Sequence, residues 1–204
     1  LVVGANGHIW VYSAISETEM TPNQKNIIKL QSLLKDAHTA RGPEDALVRG
    51  IICTDSGKLF SVGYDRQLCM WDTDSTRALA PKKKPKKADG DASKLFGDAP
   101  QLRRVGTPIM CHDAAISAVA FDSDNNNVIT GSFDRQVKVW ATGDGKKPVA
   151  IIDEKTGIDD TITGLVYCNA TKTLWISSNS ATPIVYDPRS ATDITPFLQH
   201  TDTS

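Results

Sequence analysis

The chain has 204 residues, of which 40% are hydrophobic and 23% are charged, and its formal net charge is -1. This ordinary composition argues against a fibrous or wholly disordered protein. No run approaches the roughly 18 apolar residues that a membrane-spanning helix needs, and no signal-peptide pattern opens the chain, so we expect a cytoplasmic protein with no membrane partner.

One pattern of strand, polar turn and strand recurs along the chain. Its clearest copies are FSVGYDRQLCMW at residues 60–71 and ITGSFDRQVKVW at residues 129–140, which align without a gap. Weaker copies lie at residues 2–12 and 174–187, where a tyrosine takes the place of the tryptophan. Apolar runs separated by such turns are typical of antiparallel β-hairpins.

The first predicted unit, residues 1–45, contains a weak copy of the hairpin followed by an insertion. An apolar run at residues 26–34 of this insertion fits either a strand or a short amphipathic helix. We favour a fourth strand of the unit, because loop-forming residues flank the run on both sides.

The second predicted unit, residues 46–110, has an apolar run at residues 47–53 ahead of its hairpin and a candidate fourth strand at residues 101–110. The intervening sequence PKKKPKKADGD is poor in apolar residues and rich in like charge, so we expect disorder at about residues 80–100. This loop should leave the unit on the side opposite its YDRQ turn.

The charge of this loop is a local feature, since residues 81–104 contain eight Lys or Arg and three Asp in a chain of net charge -1. A solvated loop without a partner is the simplest interpretation. If the loop binds, we expect an acidic protein tail, whereas nucleic-acid binding and a nuclear import signal are less favoured. The candidate residues for this contact are Lys82, Lys83, Lys84, Lys86 and Lys87.

The third unit, residues 111–157, and the fourth, residues 158–204, also begin with apolar runs, at residues 116–121 and 162–167. A single four-stranded meander cannot bury both of its faces, so such units are expected to pack face to face around an axis. Because the chain starts within a predicted strand and stops in a polar loop, the sequence predicts an all-β fold of about four blades from a larger β-propeller.

The third copy is similar to the WD40-repeat family, and the resemblance covers nearly the whole chain. In that family a loop His, a strand Ser or Thr, a turn Asp and a Trp form a buried hydrogen-bonded tetrad within a blade. The resemblance implies a structural tetrad of His112, Thr130, Asp134 and Trp140.

The other copies match the tetrad less completely. Alignment places Glu44 where the second copy should have its histidine, which predicts an incomplete tetrad there. The outer copies keep Ser177 and Asp187 beside their tyrosines. The second copy retains Ser61, Asp65 and Trp71.

We expect no catalytic activity, cofactor or metal. A His, Asp and hydroxyl set also occurs in hydrolases, but Thr130 falls in mid-strand, whereas a nucleophile needs an exposed position beside an oxyanion hole. No G-x-S-x-G, Walker-type or HExxH motif is present. The cysteines form no CxxC pair and are expected to be buried, reduced thiols. They are Cys53, Cys69, Cys111 and Cys168.

Two turn tips are candidates for binding a partner, because aromatic residues and arginine are often interface hot spots. They are formed by Tyr64 with Arg66 and by Phe133 with Arg135. The alternative is that each aromatic ring covers the neighbouring blade as part of the repeat.

The WD40 resemblance implies a non-catalytic scaffold or assembly subunit that holds other proteins. The run YDPRS at residues 186–190 and the DRQ turns are similar to WD-repeat proteins of ciliary axonemes, which favours a place in the axonemal cytoskeleton. The run YDPR is also similar to the W-D-x-R docking box of substrate receptors of cullin-type ubiquitin ligases, although it lacks the Trp. That receptor role is the alternative function.

Overall fold

A computed structural model of the chain describes residues 2–5, 7–14, 28–34, 36–38, 47–54, 56–74, 100–143, 146–180, 183–187 and 194–196. Regular structure in these segments consists of fifteen β-strands and one short 3₁₀ turn, Glu154–Thr156. The prediction of an all-β fold is therefore confirmed. Within these segments, no helix has the length and apolar character needed to cross a bilayer.

The strands form four antiparallel sheets of consecutive strands, which we call blades 1 to 4. Blade 1 contains β1 (Val2–Ala5), β2 (His8–Ala14) and β3 (Ile28–Leu34). Blade 2 contains β4 (Val48–Cys53), β5 (Lys58–Gly63), β6 (Gln67–Asp72) and β7 (Arg103–Met110). Blade 3 contains β8 (Ile116–Asp122), β9 (Asn127–Ser132), β10 (Val137–Ala141) and β11 (Ala150–Ile152). Blade 4 contains β12 (Ile162–Cys168), β13 (Thr173–Ser178), β14 (Ile184–Tyr186) and β15 (Ile194–Pro196).

Two uncertain strands of the sequence pattern are confirmed. The run at residues 26–34 supplies β3, which pairs with β2 rather than forming a helix. The run at residues 101–110 supplies β7, which pairs with β6 as the fourth strand of blade 2. The basic insertion therefore joins the third and fourth strands of that blade. Its lysines, Lys82, Lys83, Lys84, Lys86 and Lys87, lie outside the described residues.

The two DRQ turns have the same backbone geometry. In each, the aspartate side chain accepts a hydrogen bond from the backbone N–H two residues later, at 3.2 Å from Gln67 to Asp65 and at 3.0 Å from Gln136 to Asp134. The arginine between them takes a left-handed conformation, with φ of 67° at Arg66 and 65° in the other turn. Aspartate favours such turns because its carboxylate replaces a missing backbone partner.

Neighbouring blades pack face to face through hydrophobic clusters. Along each strand, alternate side chains face the preceding or the following blade, as the period of a β-strand requires. The cluster between blades 1 and 2 includes Ile9, Leu34, Leu59 and Trp71. The cluster between blades 2 and 3 includes Phe60, Val62, Val128 and Trp140. The cluster between blades 3 and 4 includes Ile129, Val139, Leu165, Leu174 and Tyr186.

Two glycines allow close approach between neighbouring blades. A Cβ atom on Gly50 of blade 2 would lie 2.3 Å from Cγ1 of Val119 in blade 3. A Cβ atom on Gly131 of blade 3 would lie 2.5 Å from Cγ2 of Ile162 in blade 4. Each glycine thus receives a branched side chain from the following blade, and a larger residue would push the blades apart.

The prediction that all four cysteines are buried is wrong. Cys69 and Cys111 are buried, and burial raises the pKa of both thiols, that of Cys69 to about 12. Cys53 is exposed and Cys168 is partly exposed, because each lies at the end of its strand beside a turn.

Candidate functional site

The four tetrad residues predicted in blade 3 form one hydrogen-bonded network. Nδ1 of His112 lies 2.9 Å from Oδ2 of Asp134, and Nε2 lies 2.8 Å from Oγ1 of Thr130. Nε1–H of Trp140 donates to the same hydroxyl at 2.9 Å. Because the carboxylate only accepts, Nδ1 carries the imidazole proton, and Nε2 accepts from the hydroxyl of Thr130. The network links the loop after β7 to the middle of blade 3.

The carboxylate of Asp134 is held by more than the histidine. It also accepts from the backbone N–H groups of Asp113 and Gln136, each at 3.0 Å. Burial raises the pKa of Asp134, but the hydrogen bond from His112, the positive charge that His112 carries when it is protonated, and the two N–H groups outweigh burial and lower this pKa below its ordinary value. The ionised form is therefore part of the folded structure.

Blade 2 contains a complete tetrad as well, so the prediction of an incomplete one is wrong. The histidine is His38, whose Nδ1 lies 2.9 Å from Oδ1 of Asp65 and whose Nε2 lies 2.8 Å from Oγ of Ser61. Nε1–H of Trp71 donates to Ser61 at 2.9 Å. Glu44, the residue predicted at the histidine position, lies outside the described residues.

Loop length explains why sequence alignment missed His38. Glu44 precedes β4 by four residues, just as His112 precedes β8 by four, whereas His38 precedes β4 by ten. The position of the histidine relative to the preceding strand is the better guide, because His38 and His112 both come shortly after the end of that strand. The loop that leads into blade 2 is longer than the one that leads into blade 3, but its histidine still lies next to the end of the preceding blade.

Arg104 supports the blade 2 tetrad, a role that the sequence did not indicate. Its guanidinium donates to the backbone carbonyls of Asp36 and Ala37 at 3.1 and 2.9 Å. It also lies 4.9 Å from the ring of Trp71, at cation–π distance. Arg104 follows the basic insertion in sequence, but in the fold it joins the outer strand of blade 2 to the loop that carries His38.

In blade 4 the predicted Ser177 does not occupy a tetrad position. Ile176 pairs with Ile184, which lies two residues before Tyr186. Thr130 likewise pairs with the residue two positions before Trp140, so Ile176 takes the position that Thr130 has in blade 3. Ile176 is 1% exposed and lies in the hydrophobic cluster with blade 3. Blade 4 therefore replaces the polar network by apolar packing.

The two predicted turn tips contact each other across blades 2 and 3. The rings of Tyr64 and Phe133 meet edge to face with centroids 5.9 Å apart, and the guanidinium of Arg49 lies 5.8 Å from the Tyr64 ring. Arg66 donates to the carbonyl of Asp113 at 3.3 Å. We call Arg49, Tyr64, Arg66 and Phe133 the aromatic-arginine surface.

This surface combines contact within the repeat and exposure to solvent. Tyr64 packs on the neighbouring blade, as the alternative interpretation of these rings predicted, yet Phe133 remains 41% exposed. Arg135, the fourth predicted residue, is exposed and lines a separate cleft. Its neighbours in that cleft include Asp153, Glu154 and Lys155.

The geometry of the tetrads gives no support to catalysis. Thr130 and Ser61 are both 0% exposed, so neither hydroxyl can reach a substrate. The described segments hold no group of three or more His, Cys, Asp or Glu that could bind a metal ion. These networks fix turns and loops instead.

Comparison with known proteins identifies the repeat and the fold. Residues 103–141 match the family described as WD domain, G-beta repeat, and this segment includes the whole blade 3 tetrad. The crystal structure of the WD40 β-propeller domain of Doa1 superposes with a TM-score of 0.50 at 16% sequence identity, over 74% of this chain and 39% of that one. The protein therefore carries a WD40 repeat and has the fold of a WD40 β-propeller.

A shorter match comes from a curated relative, the 66 kDa stress protein of Physarum polycephalum. It is 37% identical over 46 residues, which are 22% of this chain and 8% of the relative. The chain thus spans less than two thirds of the length of each of these two proteins.

The tetrad gives the stability of the protein a defined pH dependence. Because the pKa of Asp134 is lowered in the folded state, its ionised form stabilises the protein above the unfolded value of about 4, and this contribution is lost as the pH falls through the folded value. In Asp134→Asn we expect the free energy of unfolding to fall less steeply below about pH 4 than in the wild type. Chemical denaturation at several pH values measures both slopes, and equal slopes would contradict the network.

Proposed function

We propose that the protein is a non-catalytic scaffold that binds another protein through the aromatic-arginine surface. A WD40 propeller supports a protein-interaction role in general. The observation that carries the proposal is the contact of Tyr64 with Phe133 at 5.9 Å, which joins two blades into one exposed aromatic patch beside Arg49.

The turns under this patch are each held by a hydrogen bond to a buried histidine, which favours binding. Asp65 and Asp134 follow the two aromatic residues directly, and each is tied to a buried histidine at 2.9 Å. The aromatic residues are therefore held in place before a partner arrives, which reduces the entropy lost on binding. Aromatic residues with arginine beside them are the types that most often dominate binding energy.

Recovery of co-purifying proteins from the native source tests the proposal. We expect Phe133→Ala and Tyr64→Ala each to reduce recovery of the bound protein at least about tenfold, because truncating such a residue costs about 1.4 kcal/mol or more. Val149→Ala is the control, since Val149 is a 61% exposed apolar residue outside this surface. Equal recovery with all three variants would contradict the proposal.

A second contact is proposed for the basic insertion. Its support is the local charge of the sequence, since its lysines lie outside the described residues. An acidic tail on the partner would bind these lysines by Coulombic attraction, which salt screens. Repeating the recovery at low and high salt, with all five lysines replaced by Gln, separates this contact from the aromatic one.

We propose a cytoplasmic setting, with the ciliary axoneme as the favoured complex on the strength of the YDPRS run and the DRQ turns. The ubiquitin-ligase alternative depends on the YDPR run, whose tyrosine, Tyr186, is 4% exposed and lies in the cluster between blades 3 and 4. Pro188 and Arg189 lie outside the described residues. Among the residues that the structure describes, no contact favours that alternative over the scaffold.

A further inference from the structure

A cavity of about 230 Å³ opens between blades 2 and 3. Its floor is apolar and belongs to both blades, with Phe60 and Trp140 each 3% exposed, and its rim includes Val105, which is 41% exposed. Gly143 lines it just after the end of β10, whereas Phe133 of the aromatic-arginine surface precedes the start of that strand. The cavity is therefore a separate feature that leads from solvent into the interface between two blades.

An irregularity in the outer strand of blade 2 forms one wall of the cavity. Leu68 of β6 pairs with Ile109 of β7. Two residues further along β6, Met70 pairs with Val105, which lies four residues back along β7. Gly106, among the extra residues, has a φ of 68°, a conformation that glycine adopts without strain. The pairing of β10 with β11 has no such irregularity, so this wall distinguishes blade 2 from blade 3.

The size of the cavity suits one large apolar side chain. An apolar cavity of about 150 Å³ is enough to bind benzene, whereas pockets for drug-sized ligands measure about 300–1,000 Å³. At about 230 Å³ this cavity has room for a single Phe, Leu or Met side chain. Its mouth is not blocked, since a Cβ atom on Gly143 would meet nothing within 4 Å.

A second cleft, of about 530 Å³, continues from the mouth of the cavity, and the two share Met70, Val105 and Gly143. The lining of this cleft adds Ser56 and Thr73, whose side chains carry hydrogen-bonding groups. The backbone beside an inserted side chain needs such groups, because each residue brings an N–H and a C=O. Cavity and cleft together therefore fit an extended segment of polypeptide.

Lys146 determines the charge that fits beside the cavity. Among the described residues that line the cavity it is the only charged one, and it is exposed. It forms no ion pair within the described part of the chain. A carboxylate of a partner would complement this cation. The neighbouring cleft contains Asp72 and Asp74, so the acid belongs on the Lys146 side.

We propose that this cavity binds a partner protein through an extended segment that inserts one large apolar side chain and places an acidic residue at Lys146. The site lies apart from the aromatic-arginine surface, so each of the two can fail without the other.

The test titrates the full protein with the peptide Gly-Glu-Phe-Glu-Gly and follows the methyl NMR signal of Met70 and the indole N–H signal of Trp140, which both line the cavity. We expect both signals to move and to saturate. A peptide with Ser for Phe should bind at least about tenfold more weakly, because apolar burial is lost. A peptide with Lys for both Glu should bind at least about threefold more weakly. Unmoved signals, or equal affinity for either altered peptide, would overturn the proposal.

Two pairs of variants place the peptide in the cavity. Gly143→Phe should abolish the shifts by filling the mouth, whereas Val149→Phe, at a 61% exposed position outside the cavity, should leave the affinity unchanged. Lys146→Glu should weaken binding at least about threefold, whereas Lys147→Glu, at an exposed neighbour that does not line the cavity, should have less effect. The lysine pair decides the question if Gly143→Phe does not fold. Equal affinities within a pair of folded variants would overturn the proposal.

Three other occupants would be recognised in the same experiment, and each would overturn the proposal. A Met70 signal that moves with the concentration of the protein alone would assign the cavity to a second copy of the chain. A signal that moves when Leu95 and Phe96, which lie outside the described residues, are both replaced by Ser would assign it to the insertion. Binding of 3-phenylpropionate as tight as that of the Phe peptide would assign it to a small organic acid.

Discussion

Replacing Trp140 with alanine is expected to lower the free energy of unfolding of the intact protein by about 3–5 kcal/mol. The indole is 3% exposed and lies in the cluster that joins blades 2 and 3, so its removal leaves a large cavity between two blades. The same change also removes the donor that reaches Thr130 at 2.9 Å. Denaturant unfolding followed by far-UV circular dichroism measures the loss.

Trp140→Phe is the control that separates packing from hydrogen bonding. Phenylalanine keeps most of the apolar contact but has no N–H for Thr130, so we expect a smaller loss of about 1–2 kcal/mol. If Trp140→Ala cost less than about 1 kcal/mol, the indole could not be part of a buried interface between blades.

Replacing His38 with alanine is expected to cost about 3 kcal/mol, because the change leaves the buried carboxylate of Asp65 without its imidazole partner. The side chain of His38 is 0% exposed and that of Asp65 is 2% exposed, so water cannot easily take the place of the lost donor. Thermal or denaturant unfolding of the intact protein gives the difference.

Glu44→Ala is the matched control for His38. Alignment of the hairpins favours Glu44 at the histidine position, whereas the structure fills that position with His38. The glutamate variant should therefore stay within about 0.5 kcal/mol of the wild type. A large loss from Glu44→Ala with little loss from His38→Ala would reverse the assignment.

The strand pattern of this chain could be predicted because it is local. Apolar runs followed by polar turns predict β4, β8 and β12 to within a residue or so. Side chains alternate along each strand with a period of two, and the two hairpin turns have equal length. Asp65 and Trp71 of blade 2 therefore align with Asp134 and Trp140 of blade 3. Face-to-face packing then followed, since a lone sheet leaves one apolar face in water.

The parts of the site that could not be predicted depend on loops and on register across strands. His38 is displaced because its loop is longer than the one after His112, and hairpin alignment carries no information about loop length. Ser177 is one residue away from the tetrad position that Ile176 occupies, and only strand pairing shows this. The contact of Arg104 with Trp71 joins residues that the basic insertion separates in sequence.

A double-mutant cycle on His38 and Asp65 tests most directly whether blade 2 has the same locking network as blade 3. The free energies of unfolding of His38→Ala, Asp65→Ala and the double variant are compared with that of the wild type. If the two side chains are hydrogen-bonded as the 2.9 Å distance indicates, the double variant should lose about 1–3 kcal/mol less than the sum of the single variants. Additive losses, within about 0.5 kcal/mol, would contradict the network in blade 2.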